Sequence, residues 1–254
     1  MRKQSYIVLV MVVAAVLGGL LLAVLHPHGS DPIYQGKKLS VWLEGWHPMV
    51  NGQESSSNKG SPEWQKAKEA VRHAGVNAVP VLLRMFQSGD ELSSARAVEV
   101  FRILDPTAQA AAMPGLIEVY DRSIAGTSHS YEFVIEVWGF CMGQAATNAI
   151  PSLLRGVTNP GSSSSVRAQS IMALGRIHAE PDLVVPQLIK SLSDSDETVR
   201  EMAAGYLGDF GVDAKLAVPS LQEMLSDTSS FVRSAVTNSL KKIDGDAASR
   251  AGVK

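Results

Sequence analysis

Five prolines recur along the chain at a nearly constant interval, and no other feature restricts the fold as much. Pro80, Pro114, Pro151, Pro186 and Pro219 are 34, 37, 35 and 33 residues apart. The residues around each proline align as well. Ala78, Ala112, Ala149, Val184 and Ala217 stand two before it, and Val79, Met113, Ile150, Val185 and Val218 one before it. Leu82, Leu116, Leu153, Leu188 and Leu221 follow two after, and Phe86, Tyr120, Val157, Leu192 and Leu225 six after. A period of this length belongs to stacked repeats, in which each unit buries its apolar side against the next. The offsets of two, three and six share one helical face. Proline is tolerated at a helix start, where its missing amide hydrogen has no partner to lose. Each proline is therefore expected to open the first helix of a pair.

The second helix of each pair has columns of its own. Val166-Arg167, Val199-Arg200 and Val232-Arg233 open it, with Ala95-Arg96 as a weaker match. Seven residues past each arginine come Ile103, Leu174, Leu207 and Leu240, and ten past come Ile177, Phe210 and Ile243. Gly175 and Gly208 occupy equivalent places, where a small residue permits close helix contact. Polar turns such as Ser193 to Asp196 and Ser226 to Ser230 precede these helices and can cap them. Upstream, Ser61-Pro62-Glu63 has the order of a cap, a proline and an early acid, so a helix is expected over Glu63 to His73. The repeat headed by Pro114 is the odd one. Aligning Gly139 with Gly175 puts Tyr131 in the arginine place, Trp138 in the leucine place and Cys141 on the apolar column, which predicts a buried Cys141.

Ile7 to Leu25 is a run of nineteen residues without a charged or polar side chain. As a helix it spans about 28 Å, near the hydrocarbon thickness of a bilayer. Arg2 and Lys3 before it favour a cytoplasmic amino terminus and an exported body, on the periplasmic side of the cytoplasmic membrane. The run is longer than the apolar part of a cleaved signal peptide and ends in Leu25-His26 rather than a small-x-small site. A retained single-pass anchor is expected, with secretion after cleavage as the alternative. Beyond the run the chain carries 21 cations and 25 anions, and this acidic balance argues against non-specific nucleic-acid binding. The single cysteine excludes an intrachain disulfide.

The order proline, leucine, aspartate turn, Val-Arg, then leucine-glycine, as in Val185-Pro186-Gln187-Leu188 through Val199-Arg200 to Leu207-Gly208, resembles the HEAT repeat and the related repeats named after phycobilisome lyases. The resemblance covers about Asn77 to Asp244, and the last two repeats fit it best. It implies an all-α fold, a right-handed α-α superhelix (a HEAT/armadillo-like solenoid), with second helices lining a concave binding face. One transmembrane helix is expected to precede it. The organisation expected is a signal anchor over 1–25, a linker with a short capping helix and a flexible loop over 26–62, and a solenoid of about five repeats over 63–254. Tyr34, Gly36, Leu39, Ser40, Trp42 and Leu43 resemble an opening segment of exported bacterial HEAT-repeat proteins. Ser40 is expected to cap a short helix there, with Trp42 and Leu43 inward.

Searching for chemistry gives little. The six histidines are scattered, and His26 and His28 are simplest as a solvated linker. No nucleophile elbow, phosphate-binding glycine loop or His-Glu-x-x-His helix occurs. Asp194 to Glu197 lacks the glycine and distal glutamate of a calcium loop. The Val-Arg arginines could form an anion-binding ladder, but each is better placed to reach a turn aspartate such as Asp194 or Asp227. No cofactor, metal or small-molecule substrate is expected, and no catalytic residue. The expectation is a non-enzymatic scaffold for a protein partner. Glu99, Arg102, Glu136, Ser170 and Arg176 on the second helices, with the turns Ser123 to Ser130 and Thr158 to Ser165, are the candidate contacts. An enzyme on HEAT-like repeats, such as a lyase or a DNA glycosylase, and a structural envelope protein without a ligand are the alternatives.

Overall fold

The computed structural model describes residues 29–46, 61–127, 131–250 and 252. The apolar run Ile7 to Leu25, His26, His28, His129 and most of the loop expected over 45–60 lie outside them. Among the described residues no helix is long and apolar enough to cross a membrane. The chain divides into two compact units, one ending at Val119 and the other beginning at Tyr120.

The first unit starts with a feature absent from the all-α expectation. Strands β1 (Ile33–Tyr34) and β2 (Lys37–Lys38) pair antiparallel, joined by Gln35 and Gly36 with φ of 48° and 76°. Two left-handed residues in succession make the tight turn whose twist suits a hairpin. Helix α1 (Leu39–Glu44) follows and buries Leu39 and Leu43. Ser40 does not cap it. Asp31 instead accepts from both the Ser40 amide and the Ser40 hydroxyl, because the hairpin folds Asp31 back over the helix start. Trp42 is half-buried, and its indole N–H donates to the Tyr34 carbonyl at 3.0 Å.

Helix α2 (Pro62–Ala74) begins as the sequence predicts, with the Ser61 hydroxyl accepting from the Trp64 amide at 3.1 Å. The hairpin is fastened to it: Tyr34 donates to Glu69 at 3.1 Å and packs on His73. Helices α3 (Val79–Gln87) and α4 (Glu91–Phe101) form the first pair, with Phe86 and Phe101 fully buried between them. Asp90 caps α4 by accepting from the Ser93 amide. Helix α5 (Pro106–Arg122) contains the boundary between the two units.

In the second unit, α6 (Tyr131–Glu136) runs into a π-helical stretch, Val137–Met142. Helices α7 (Ile150–Thr158) and α8 (Ser164–Ile177) form one pair, α9 (Pro181–Ser191) and α10 (Glu197–Asp209) the next. Helices α11 (Val218–Glu223) and α12 (Ser230–Ile243) form the last, followed by the short α13 (Gly245–Arg250). Consecutive second helices pack on one another, α8 on α10 and α10 on α12.

Most residues of the repeat columns are core, while Ile103, Val218 and Leu225 are half-buried. The residues two before and two after every proline are at most 0% exposed in all five repeats. Leu174, Leu207 and Leu240, with Ile177, Phe210 and Ile243, are buried in the second helices. Pro80, Pro151 and Pro219 stand in the first turn of α3, α7 and α11. Pro114 and Pro186 do not open helices, contrary to expectation. They lie inside α5 and α9, which start earlier, at Pro106 and Pro181. The difference is in the approach. Gly75, Gly143 and Gly211, at φ of 50°, 50° and 54°, turn the chain into a 3₁₀ segment before the other three prolines. A left-handed backbone of this kind favours glycine. Where a proline replaces that glycine turn, the helix begins a turn or two sooner.

Candidate functional site

Two sets of polar groups lie on the second helices, and only one is available to a partner. The first is a ladder of arginines. Arg167 on α8 grips Asp194 with both ends of its fork at 2.7 Å, and Arg200 on α10 grips Asp227 at 2.9 and 3.1 Å. The remaining nitrogen of each fork turns back to its own turn, Arg167 to the Ser162 carbonyl and Arg200 to those of Asp194 and Ser195. Arg233 makes the backward contacts, to Asp227 and Thr228. Hydrogen bonds from Arg167 and Arg200 hold the carboxyls of Asp194 and Asp227 below their ordinary range, and raise both guanidinium pKa values in return. These arginines are structural clamps between repeats, as the sequence favoured, and leave no anion-binding ladder. The two aspartates of the 194–197 turn are likewise engaged. Asp196 caps α10 through the Thr198 and Val199 amides, and the Ser164 hydroxyl lowers its pKa. Among the described residues no three histidine, cysteine or acidic side chains gather as metal ligands.

The second set faces outward. Counted from each arginine, offsets of two, five and nine put Gln169, Met202 and Ala235 in one column, Met172, Gly205 and Asn238 in the next, and Arg176, Asp209 and Lys242 in the third. The grooves between the helices pass through these columns. One, of ≈ 340 Å³, lies between α8 and α10 and includes Ala168, Gln169, Met172, Asp196 and Met202. The other, of ≈ 320 Å³, lies between α10 and α12 and includes Glu201, Met202, Gly205, Tyr206, Ala235 and Lys242. Met202 borders both. Beside them the Arg176 guanidinium sits 3.6 Å over the ring of Phe140, itself 60% exposed, and lies within electrostatic range of the Tyr206 hydroxyl. Burial raises the Tyr206 pKa, with Arg176 opposing. Asp209 and Lys242 close the line with an exposed ion pair at 2.8 Å. Phe140 and Arg176 thus make a stacked aromatic–cation pair which, with Tyr206 beside it, forms a platform next to two methionine-lined grooves. Aromatic residues and arginine are enriched where interfaces concentrate binding energy, and methionine adapts to irregular partners.

The five predicted contacts fare unequally. Glu99 and Arg102 pair with each other at 3.1 Å in the first unit. Glu136 is half-buried at the end of α6. Ser170 is fully buried and cannot touch a partner. Its hydroxyl donates to the Val166 carbonyl at 2.6 Å, so Tyr120 supplies the proton of the 2.6 Å bond between their oxygens. Burial pushes the Tyr120 pKa up to about 12, keeping that donor protonated. Arg176 alone stands in the platform. Cys141 is half-buried rather than core. The π-helical stretch adds one residue to the turn, so the apolar column passes to Met142, 7% exposed. The sequence reading passed over Phe140, Met172, Met202, Gly205 and Tyr206, although the columns between the apolar ones carry them.

The class is therefore an α-helical repeat protein that offers grooves between successive second helices. Residues 150–241 match the family described as HEAT repeats, and this stretch is a run of such repeats. Among solved structures the chain is similar to the crystal structure of an engineered protein, at 20% identity and a TM-score of 0.45, over 73% of this chain and 93% of that one. No curated protein matches it.

Proposed function

We propose that this chain is a membrane-anchored, non-enzymatic scaffold that holds a protein partner on the exposed face of its second helices. The observation that carries the reading is the coincidence, on α8, α10 and α12, of two open grooves with the Phe140–Arg176–Tyr206 platform. The arginines that could have served as ligands are engaged in the fold instead. Anchoring rests on the run Ile7 to Leu25 and the cations before it, which favour a body on the exported side. Of the five predicted contacts, Arg176 is retained as an anchor, with Glu136 on the preceding layer and the Glu99–Arg102 pair as a contact in the first unit.

A photo-crosslinking residue placed in the cell at Met172, Tyr206 or Lys190 tests the face. The same discrete adduct from Met172 and Tyr206, and none from Lys190 on α9, is expected. Equal labelling from all three, or none, rules the reading out. Deleting residues 7–25 should release the chain from the membrane fraction; unchanged fractionation refutes the anchor.

A further inference from the structure

Several glycines bear on the second-helix packing, and most are explained by what lies against them. A methyl group on Gly175 would overlap the Tyr206 ring, one on Gly208 would overlap Ser239, and one on Gly156 would overlap Tyr120 and Ser170. These glycines let neighbouring helices approach. Gly205 is different. It lies in the middle of α10 with an ordinary helical backbone, and an added Cβ would meet nothing within 4 Å. Glycine weakens a helix relative to alanine. Its column neighbours Met172 and Asn238 both carry side chains. Nothing inside the chain uses the missing one.

What the gap does is open the groove between α10 and α12. Gly205 and Ala235 leave a notch there, walled by Met202 and the Tyr206 ring. Three charged residues line it: Glu201, Asp209 and Lys242. Asp209 and Lys242 neutralise each other at 2.8 Å. Glu201 has no ion pair among the described residues, so the uncompensated charge of the groove is a carboxylate. The Arg176 cation is stacked on Phe140, on the α8 side of Tyr206. A groove between two helices takes the side-chain ridge of a third.

We infer that the Gly205 notch receives an α-helix of a protein partner, which seats an apolar side chain between Met202 and Tyr206 and a lysine or arginine against Glu201. The inference rests on the second-helix face being the binding face. Because the notch is empty of contacts, it can be filled without disturbing the core. Gly205→Leu and Ala235→Leu occupy it from its two sides, and Gly205→Ala is the conservative control.

A displayed library of helical peptides, sorted on the immobilised full-length chain, supplies the probe. The expected winners carry lysine or arginine within one helical turn of a large apolar residue. Their affinity should fall at least about tenfold on Gly205→Leu and on Ala235→Leu. Both variants should melt no lower than Gly205→Ala. Glu201→Lys should lose the basic peptides and bind versions with glutamate in place of the cation. Recovery of acidic or charge-indifferent peptides, equal binding to the filled variants, or no peptide at all overturns the inference. The crosslinking result keeps the two readings apart. Adducts from Met172 and Tyr206 that persist in Gly205→Leu leave the face standing and remove the notch. Adducts missing from the wild-type chain remove the face itself.

Discussion

The layer around α6 and the layers around α8 and α10 solve one problem in two ways. In the later layers the tie between repeats is charged and peripheral: Arg167 to Asp194 and Arg200 to Asp227, each bidentate. In the earlier layer both ends of that tie are missing. Tyr131 stands where the arginine would be, and Asn159, eight residues past its proline like Asp194 and Asp227, stands where the aspartate would be. The Tyr131 hydroxyl reaches Ser165 only at 3.4 Å. The polar connection moves inward instead, to Tyr120 and Ser170, under a fully buried Trp138. A repeat can thus lose its charged clamp if a large aromatic core takes over the registration of the layers.

The largest test of this contrast is Trp138→Ala. Truncating a fully buried tryptophan should cost about 3–5 kcal/mol, more than any single clamp. Denaturant titration would read it, and a loss below that of the clamp variants would mean the aromatic layer is not what holds the irregular repeat. Arg200→Ala should cost about 2–3 kcal/mol, since Asp227 is left nearly buried without its partner. Arg200→Lys should recover only part, because an ammonium cannot fork onto both carboxylate oxygens.

The same clamps give the charged layers an acid limit. The carboxyls of Asp194 and Asp227 are depressed in the folded chain from an ordinary 3.8. Their stabilisation is complete above that value and is lost as pH falls through it toward the depressed ones. Unfolding midpoints should therefore be level down to about pH 5 and decline below it. Asp227→Asn should flatten the decline; a decline just as steep would assign the acid sensitivity elsewhere.

Two smaller effects run the other way. Installing Tyr131→Arg together with Asn159→Asp should add about 1 kcal/mol more than the sum of the single changes, measured as a double-mutant cycle. Zero coupling would show that the π-helical stretch displaces the two positions. Gly205→Ala should stabilise by about 0.5–1 kcal/mol, having helix propensity to gain and nothing to strike.

Much of the fold could be read in the residues, because the proline, leucine and arginine columns each answer to one physical need repeated at one interval. The clamp was visible for that reason, down to Asp194 and Asp227. Features made of a single residue were not. The hairpin depends on Gln35 and Gly36 alone. The extra residue of the π-helical stretch looks, in an alignment of columns, like imperfect spacing, and so Cys141 was placed one position too deep. Ser170 was taken for a surface group because it is polar, when its partner Tyr120 lies 50 residues away. The outward columns hold no uniform chemistry, so Met202 and Gly205 carried no signal until the grooves placed them.

The width of a guanidinium is fixed, and Arg200 touches the carbonyls of Asp194 and Ser195 at one end and the carboxylate of Asp227 at the other. It acts as a gauge that measures one loop against the next. An insertion between Asp194 and Asp196 would pull both ends out of calibration at once. An insertion beside Gly126 leaves the Arg167 and Arg200 gauges intact. Lineages of this chain should therefore vary in length at the ungauged corner and keep the gauged ones constant, so that new surface is added without retuning the stack.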